Sequence, residues 1–149
     1  MKIAIASDHA GFPLKSEIIT YLKEQKVDVI DLGNEGTGSV DYPDFAEKVA
    51  VSVSQGKADA GILICGTGIG MSITANKFKG VRAAVVSDLV SAQTSKEHNN
   101  ANILCFGARI LDPQKARQIV RAWHEAKYAG GRHENRLKKI QEIEKKNFC

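Results

Sequence analysis

Five short apolar runs, at residues 2–7, 27–32, 60–65, 81–86 and 101–106, are each followed by a stretch of helical periodicity. Runs this short suit strands buried on both faces, and a helix after every strand returns the chain parallel to the last one. Pro13 opens a helix at a position that tolerates a missing N–H, and Leu14, Ile18 and Leu22 recur every four residues. Asp44 is expected to cap a second helix that reaches Ser54 and stops at Gly56. A third helix is expected to contain Met71 to Phe78 and to close at Gly80, and a fourth covers 88–98. A fifth starts at Asp112-Pro113 and carries Ala116, Ile119, Val120 and Trp123 on one stripe. Gly130-Gly131 breaks it, and a charged last helix at about 133–147 has only Leu137, Ile140 and Ile143 as sizeable apolar residues. The pattern predicts one α/β domain over 1–149, a parallel sheet covered on both faces, with a C-terminal helix that docks on another subunit.

Such sheets bind ligands beyond the carboxyl ends of their strands. Asp8 and His9 follow the first run, Cys65-Gly66-Thr67-Gly68-Ile69-Gly70 closes the third, and Arg109 follows the fifth. The glycine-rich turn opens a helix, where unpaired N–H groups and the helix dipole favour an anion and suit a reactive sulfur at Cys65. Its G-x-G-x-G spacing in mid-chain is not a dinucleotide fingerprint, and it lacks the Gly-Lys-Ser/Thr of a nucleotide P-loop. Cys105 lies in an apolar strand and reads as core, and Cys149 as an incidental terminal residue. His98 and Asn99 stand apart, because they end a helix just before the fifth strand. Arg132 and Arg136 are four apart, share a helix face, and could grip a phosphate beside His133. Tyr42 precedes Pro43 in a turn and could line a pocket, whereas His124 reads as a surface residue.

Composition narrows the partners. Aromatic residues make up 6% of the chain, and its lysines are interspersed with acids, so the net charge of +4 does not read as a nucleic-acid surface. No apolar run approaches the ~20 residues of a membrane span, and three widely spaced cysteines do not form a disulfide framework. A reducing cytoplasm is the expected setting.

Ser7-Asp8-His9-Ala10-Gly11, Asp41-Tyr42-Pro43, Cys65 to Gly70, Ala75-Asn76-Lys77, Glu97-His98-Asn99 and Gly130-Gly131-Arg132-His133 occur in one order along the chain. In that order they resemble the ribose/galactose isomerase family over nearly the whole length. The resemblance implies a three-layer α/β/α, Rossmann-like fold with a five-stranded parallel sheet. It also implies a cofactor-free, metal-free aldose–ketose isomerase that interconverts ribose 5-phosphate and ribulose 5-phosphate in the pentose phosphate pathway. Homodimers or tetramers of dimers with shared active sites are implied too.

By the same resemblance, Cys65 is the base that moves the C2 proton to C1. Thr67 relays a hydroxyl proton, and His98 with Asp8 opens the sugar ring. Gly66, Gly68, Ile69 and Gly70 stabilise a cis-enediolate, and Asn99 holds a hydroxyl or the enediolate. His9, Arg109, Arg132 and Arg136 bind the phosphate, some from a neighbouring subunit, and Tyr42 lines the site. Some members use a glutamate at the position of Met71, so the resemblance places this chain in the cysteine branch. Allose 6-phosphate and galactose 6-phosphate isomerases are the rivals within the family. A non-catalytic sugar-phosphate-binding module is the rival of another class.

Overall fold

The computed structural model describes residues 1–148, and Cys149 lies outside them. Among these residues, strands β1 (Lys2–Ser7), β2 (Asp28–Asp31), β3 (Ala60–Cys65), β4 (Ala83–Val85) and β5 (Ile103–Gly107) form one parallel sheet in the order β2-β1-β3-β5-β4. The helices are α1 (Phe12–Glu24), α2 (Tyr42–Ser54), α3 (Ile69–Ala75), α4 (Leu89–Asn99), α5 (Pro113–Glu125) and α6 (Arg132–Asn147).

The three inner strands alternate between two cores. Ile3, Ile5, Ile62, Ile64, Leu104 and Phe106 face one way and pack with α1, α4 and α5, including the fully buried Trp123. Ala4, Ala6, Leu63, Cys65, Ile103 and Cys105 face the other way, toward α2 and α3. The second face is built of smaller residues and its helices sit close. A Cβ at Gly61 would collide with Val49. The sheet order carries the chain leftward from β1 through α1 and rightward from β3 through α3, so these two helices lie on opposite faces. The carboxyl ends of β1 and β3 are therefore a switch point, where a crevice opens between diverging connections.

Several boundaries differ from the sequence expectation. The second helix begins at Tyr42, with Asp41 at the cap position and Pro43 and Asp44 inside its first turn, because proline is already fitted to that turn. The third begins at Ile69 and ends at Ala75, leaving Phe78 in a turn. The fourth strand shrinks to Ala83–Val85. Val81 N–H is taken by the Phe78 carbonyl and Arg82 N–H by Asn102 Oδ1, so neither joins the ladder. The Asn76 side chain brackets Ala83 with two bonds of 2.8 and 3.0 Å, covering part of that edge strand. The final helix starts one residue earlier than expected. It buries His133 and Leu137 but leaves Ile140 and Ile143 exposed.

Candidate active site

The expected site residues fall into two clusters. The first sits at the switch point. Cys65 ends β3, is 6% exposed, and its Sγ accepts the Gly68 N–H at 3.1 Å. Gly68 turns the chain with φ +83°, its Cα pressed so close to the Phe106 backbone that an added Cβ would lie 2.8 Å from it. Only glycine fits there on both counts. Thr67 is exposed, and its Oγ1 accepts the Ile69 N–H at 3.3 Å. Two donors of the turn are thus already engaged, one on the sulfur itself. Gly70 and Met71, in the first turn of α3, have no helical carbonyl to bond.

Around this turn stand the other switch-point residues. Asp8 is buried beside Ile64, whose carbonyl accepts its N–H at 3.2 Å, and its Oδ1 accepts the Gly11 N–H at 3.0 Å. His9 is half-buried, with Nδ1 accepting the Val40 N–H at 3.2 Å. Tyr42 lies over Gly70 so closely that a side chain there would strike its ring. Arg109 follows β5, its guanidinium packed over Gly66 and its N–H on the Gly66 carbonyl at 3.0 Å. Ile69 is exposed beside them, and Met71, whose thioether cannot act as a base, is fully buried in the core. Cys105 lies on the same sheet face as Cys65, but burial and then the Cys65 sulfur push its thiol far above the usual range.

The second cluster lies at the amino end of the same sheet. His98 and Asn99 are the last residues of α4, and Asn100 ends the helix in the left-handed conformation with φ +46°. The Arg82 guanidinium, just ahead of β4, donates to the Asn99 carbonyl at 3.1 Å and the Asn100 carbonyl at 2.9 Å. The His98 ring stacks on His133, with centroids 4.4 Å apart. Arg132, His133 and Arg136 occupy the first turns of α6. Ala129 N–H on the Glu97 carbonyl and Glu144 on Gly80 N–H hold that helix in place. Burial, then His98, Arg132 and Arg136, push the His133 pKa below the ordinary imidazole value.

Within one chain, then, the structure does not bring His98 to Asp8 or Cys65. Cys65 pairs with Gly107 at one end of β5, whereas Asn99 precedes the other end. Five residues at ~3.3 Å rise put the clusters more than ~13 Å apart. Sequence reasoning placed His133 only as a neighbour of the arginines and missed two residues that hold the clusters, Arg82 and Lys15. Lys15 had a readable signal, since 15, 18 and 22 share the buried stripe of α1. Arg82 had none. Among the described residues, no three His, Cys, Asp or Glu side chains gather as metal ligands. No described helix is long and apolar enough to cross a membrane.

An α/β sheet with a cysteine–glycine turn at its switch point defines a class, and comparison with known proteins gives it a family. The ribose/galactose isomerase family model matches residues 3–140, and the chain belongs to that family. It is 50% identical over 145 residues to ribose-5-phosphate isomerase B of Escherichia coli, covering 97% of each chain. It superposes with a TM-score of 0.96 on ribose-5-phosphate isomerase B of Clostridium thermocellum, at 53% identity over 98% of this chain and 99% of that one. The enzyme of Mycoplasma genitalium, solved with ribulose 5-phosphate bound, matches at 43% identity and TM-score 0.94 over 98% and 97%.

Proposed function

We infer that this protein interconverts ribose 5-phosphate and ribulose 5-phosphate, as a cytoplasmic enzyme whose sites are completed by a second copy of the chain. Cys65 carries the reading: a sulfur at the switch point, held by a backbone N–H, with the Asp8 backbone bonded to the neighbouring Ile64 carbonyl, in a chain half-identical to such isomerases.

The chemistry follows from these positions. Sugar phosphates are largely cyclic, so the ring opens first, with His98 of one copy and Asp8 of the other moving its proton. The Cys65 thiolate then takes the proton from C2, and the C1 carbonyl becomes part of an enediolate. That charge meets the turn's free N–H groups, and losing one such donor typically costs ~3–4 kcal/mol of barrier. Thr67, exposed beside the turn, passes the hydroxyl proton from O2 to O1. Cys65 returns its proton to C1, so the net change is an isomerisation with no electron acceptor needed. His9 and Arg109 of one copy and Arg132 and Arg136 of the other hold the phosphate, and Asn99 a hydroxyl. Binding energy at that remote group positions the reacting carbons.

The test is turnover of the purified protein with ribose 5-phosphate in deuterated water, read as ribulose 5-phosphate formed and deuterium gained at carbon. Phosphate-dependent binding without turnover would instead support a binding module. Faster turnover of allose 6-phosphate or galactose 6-phosphate would move the substrate to six carbons.

A further inference from the structure

One buried ammonium has no part in that chemistry. Lys15 of α1 is 1% exposed, and its Nζ donates to Asp31 Oδ1 and to the Asn34 carbonyl, each at 2.7 Å. A charge taken this far from water persists only when it is well bonded. Both acceptors belong to the segment that leaves β2. There Asp31 Oδ1 also accepts the Gly33 N–H at 3.0 Å. The Gly33 carbonyl accepts the Ser7 N–H at 2.9 Å, and Asn34 N–H donates to the Ser7 carbonyl at 3.0 Å. The segment is thereby fastened to the residue just before Asp8 and His9. The Asn34 side chain then closes on Gly36 with bonds of 2.7 and 3.2 Å. Beyond Gly38 and Ser39 the same loop delivers the Val40 N–H to His9 Nδ1.

That last bond decides what His9 can offer a ligand. A ring nitrogen that accepts carries no proton, so the ring proton sits on Nε2, which is left as the donor. A loop with glycine at 33, 36 and 38 has little order of its own, and the ordering comes from its anchors. Lys15 is the charged anchor at one end and His9 the contact at the other.

We propose that Lys15 is a positioning residue for sugar-phosphate recognition: it fixes the 31–40 loop, and the loop holds His9 with its proton on Nε2. This rests on the phosphate-binding role given to His9 above. The test is Lys15→Met, which keeps length and apolar packing but removes the ammonium. KM for ribose 5-phosphate should rise about tenfold with kcat changed less than about threefold, the pattern of lost binding rather than lost chemistry. Nitrogen-15 NMR of the imidazole should show His9 leaving the single Nε2–H tautomer. A folded Lys15→Met with unchanged KM and unchanged His9 signals overturns the proposal, and so does a fall in kcat alone. Should that variant fail to fold, Asp31→Asn at the half-exposed partner decides: a KM rise of about threefold with the same tautomer change supports the role. Wild-type values there overturn it. If the wild-type protein does not turn over ribose 5-phosphate, the functional reading falls, while the imidazole spectra still decide whether Lys15 sets the His9 tautomer.

Discussion

The two ends of β5 carry half-sites built by different means. At the carboxyl end, backbone geometry makes the site: strand ends in register, a glycine turn wedged on the Phe106 backbone, a sulfur held by an N–H. At the amino end, side chains make it: the Arg82 fork on helix-terminal carbonyls, the His98–His133 stack, and the arginines of α6. The first holds a thiol and a carboxylate suited to moving protons, and the second gathers cations suited to holding a phosphate. The difference teaches that, on the roles proposed above, neither cluster is sufficient within one chain, because the topology separates them by the length of a strand. A second copy that sets its amino-end cluster against the first copy's switch point would complete both.

The strongest way to break this comparison is to disable the halves separately. On the roles proposed above, Cys65→Ala removes the base and His98→Asn the ring-opening group. Each alone should lose at least about 10²–10⁴ of turnover, the range of general acid–base groups. Mixed in equal amounts and allowed to exchange subunits, they should recover about a quarter of wild-type activity, since half the dimers are mixed and one of each pair of sites is intact. Activity that stays at the single-variant level after exchange, shown by native mass spectrometry, would place both halves in one chain's site.

A smaller effect separates the two kinds of construction. Gly68 and Gly130 both have positive φ, +83° and +65°. A Cβ at Gly68 meets the Phe106 backbone, while one at Gly130 meets nothing within 4 Å. Gly68→Ala should therefore displace the turn, cost about 2–4 kcal/mol from strain and overpacking together, and reduce kcat more than about a hundredfold. Gly130→Ala bears only the left-handed penalty of about 1–2 kcal/mol and should keep kcat within about threefold. Urea unfolding and steady-state kinetics on both variants check the contrast. Equal losses would mean that the amino-end cluster is as rigidly framed as the switch point.

The switch point was legible in the sequence, because strand periodicity and the parallel-sheet rule send Asp8, Cys65 and Arg109 to one edge. The six motifs in order gave the family. Three things were not legible. The fourth strand lost its first two residues, Val81 to a turn onto the Phe78 carbonyl and Arg82 to Asn102, a partner that only the tertiary structure supplies. The cap of α2 moved because Asp41 and Asp44 are equally good caps on paper, and the proline between them decides. The separation of His98 from Asp8 follows from helix direction: α4 leaves the carboxyl edge and returns to the amino edge, so its last residues cannot sit where its first do. Pattern reading noted His98 as the exception to the carboxyl-edge rule, and the fold shows the geometric cost of that exception.

The smallest effect concerns protons at the amino-end half alone. His133 has its pKa held below the ordinary imidazole value by burial first, then by His98, Arg132 and Arg136. Well above that value, about 6.5, the ring is neutral in both folded and unfolded chains and adds nothing to the pH dependence. As pH falls through 6.5 the unfolded chain takes up a proton that the folded chain refuses. Stability therefore declines with acid until the lowered folded value is passed, and rises with pH across the same window. His124, lowered mainly by burial, adds in the same direction. Urea unfolding between pH 5 and 7 (about the range of imidazole titration) should show a shallower slope in His133→Asn than in the wild type. Arg136→Met removes one of the repelling charges and should recover part of the same flattening. Inorganic phosphate at Arg132 and Arg136 should do so as well, by placing negative charge beside the ring and raising its folded pKa. A slope unmoved by all three would mean that His133 takes up its proton as readily in the fold as in the open chain, and that the cations of α6 face away from it.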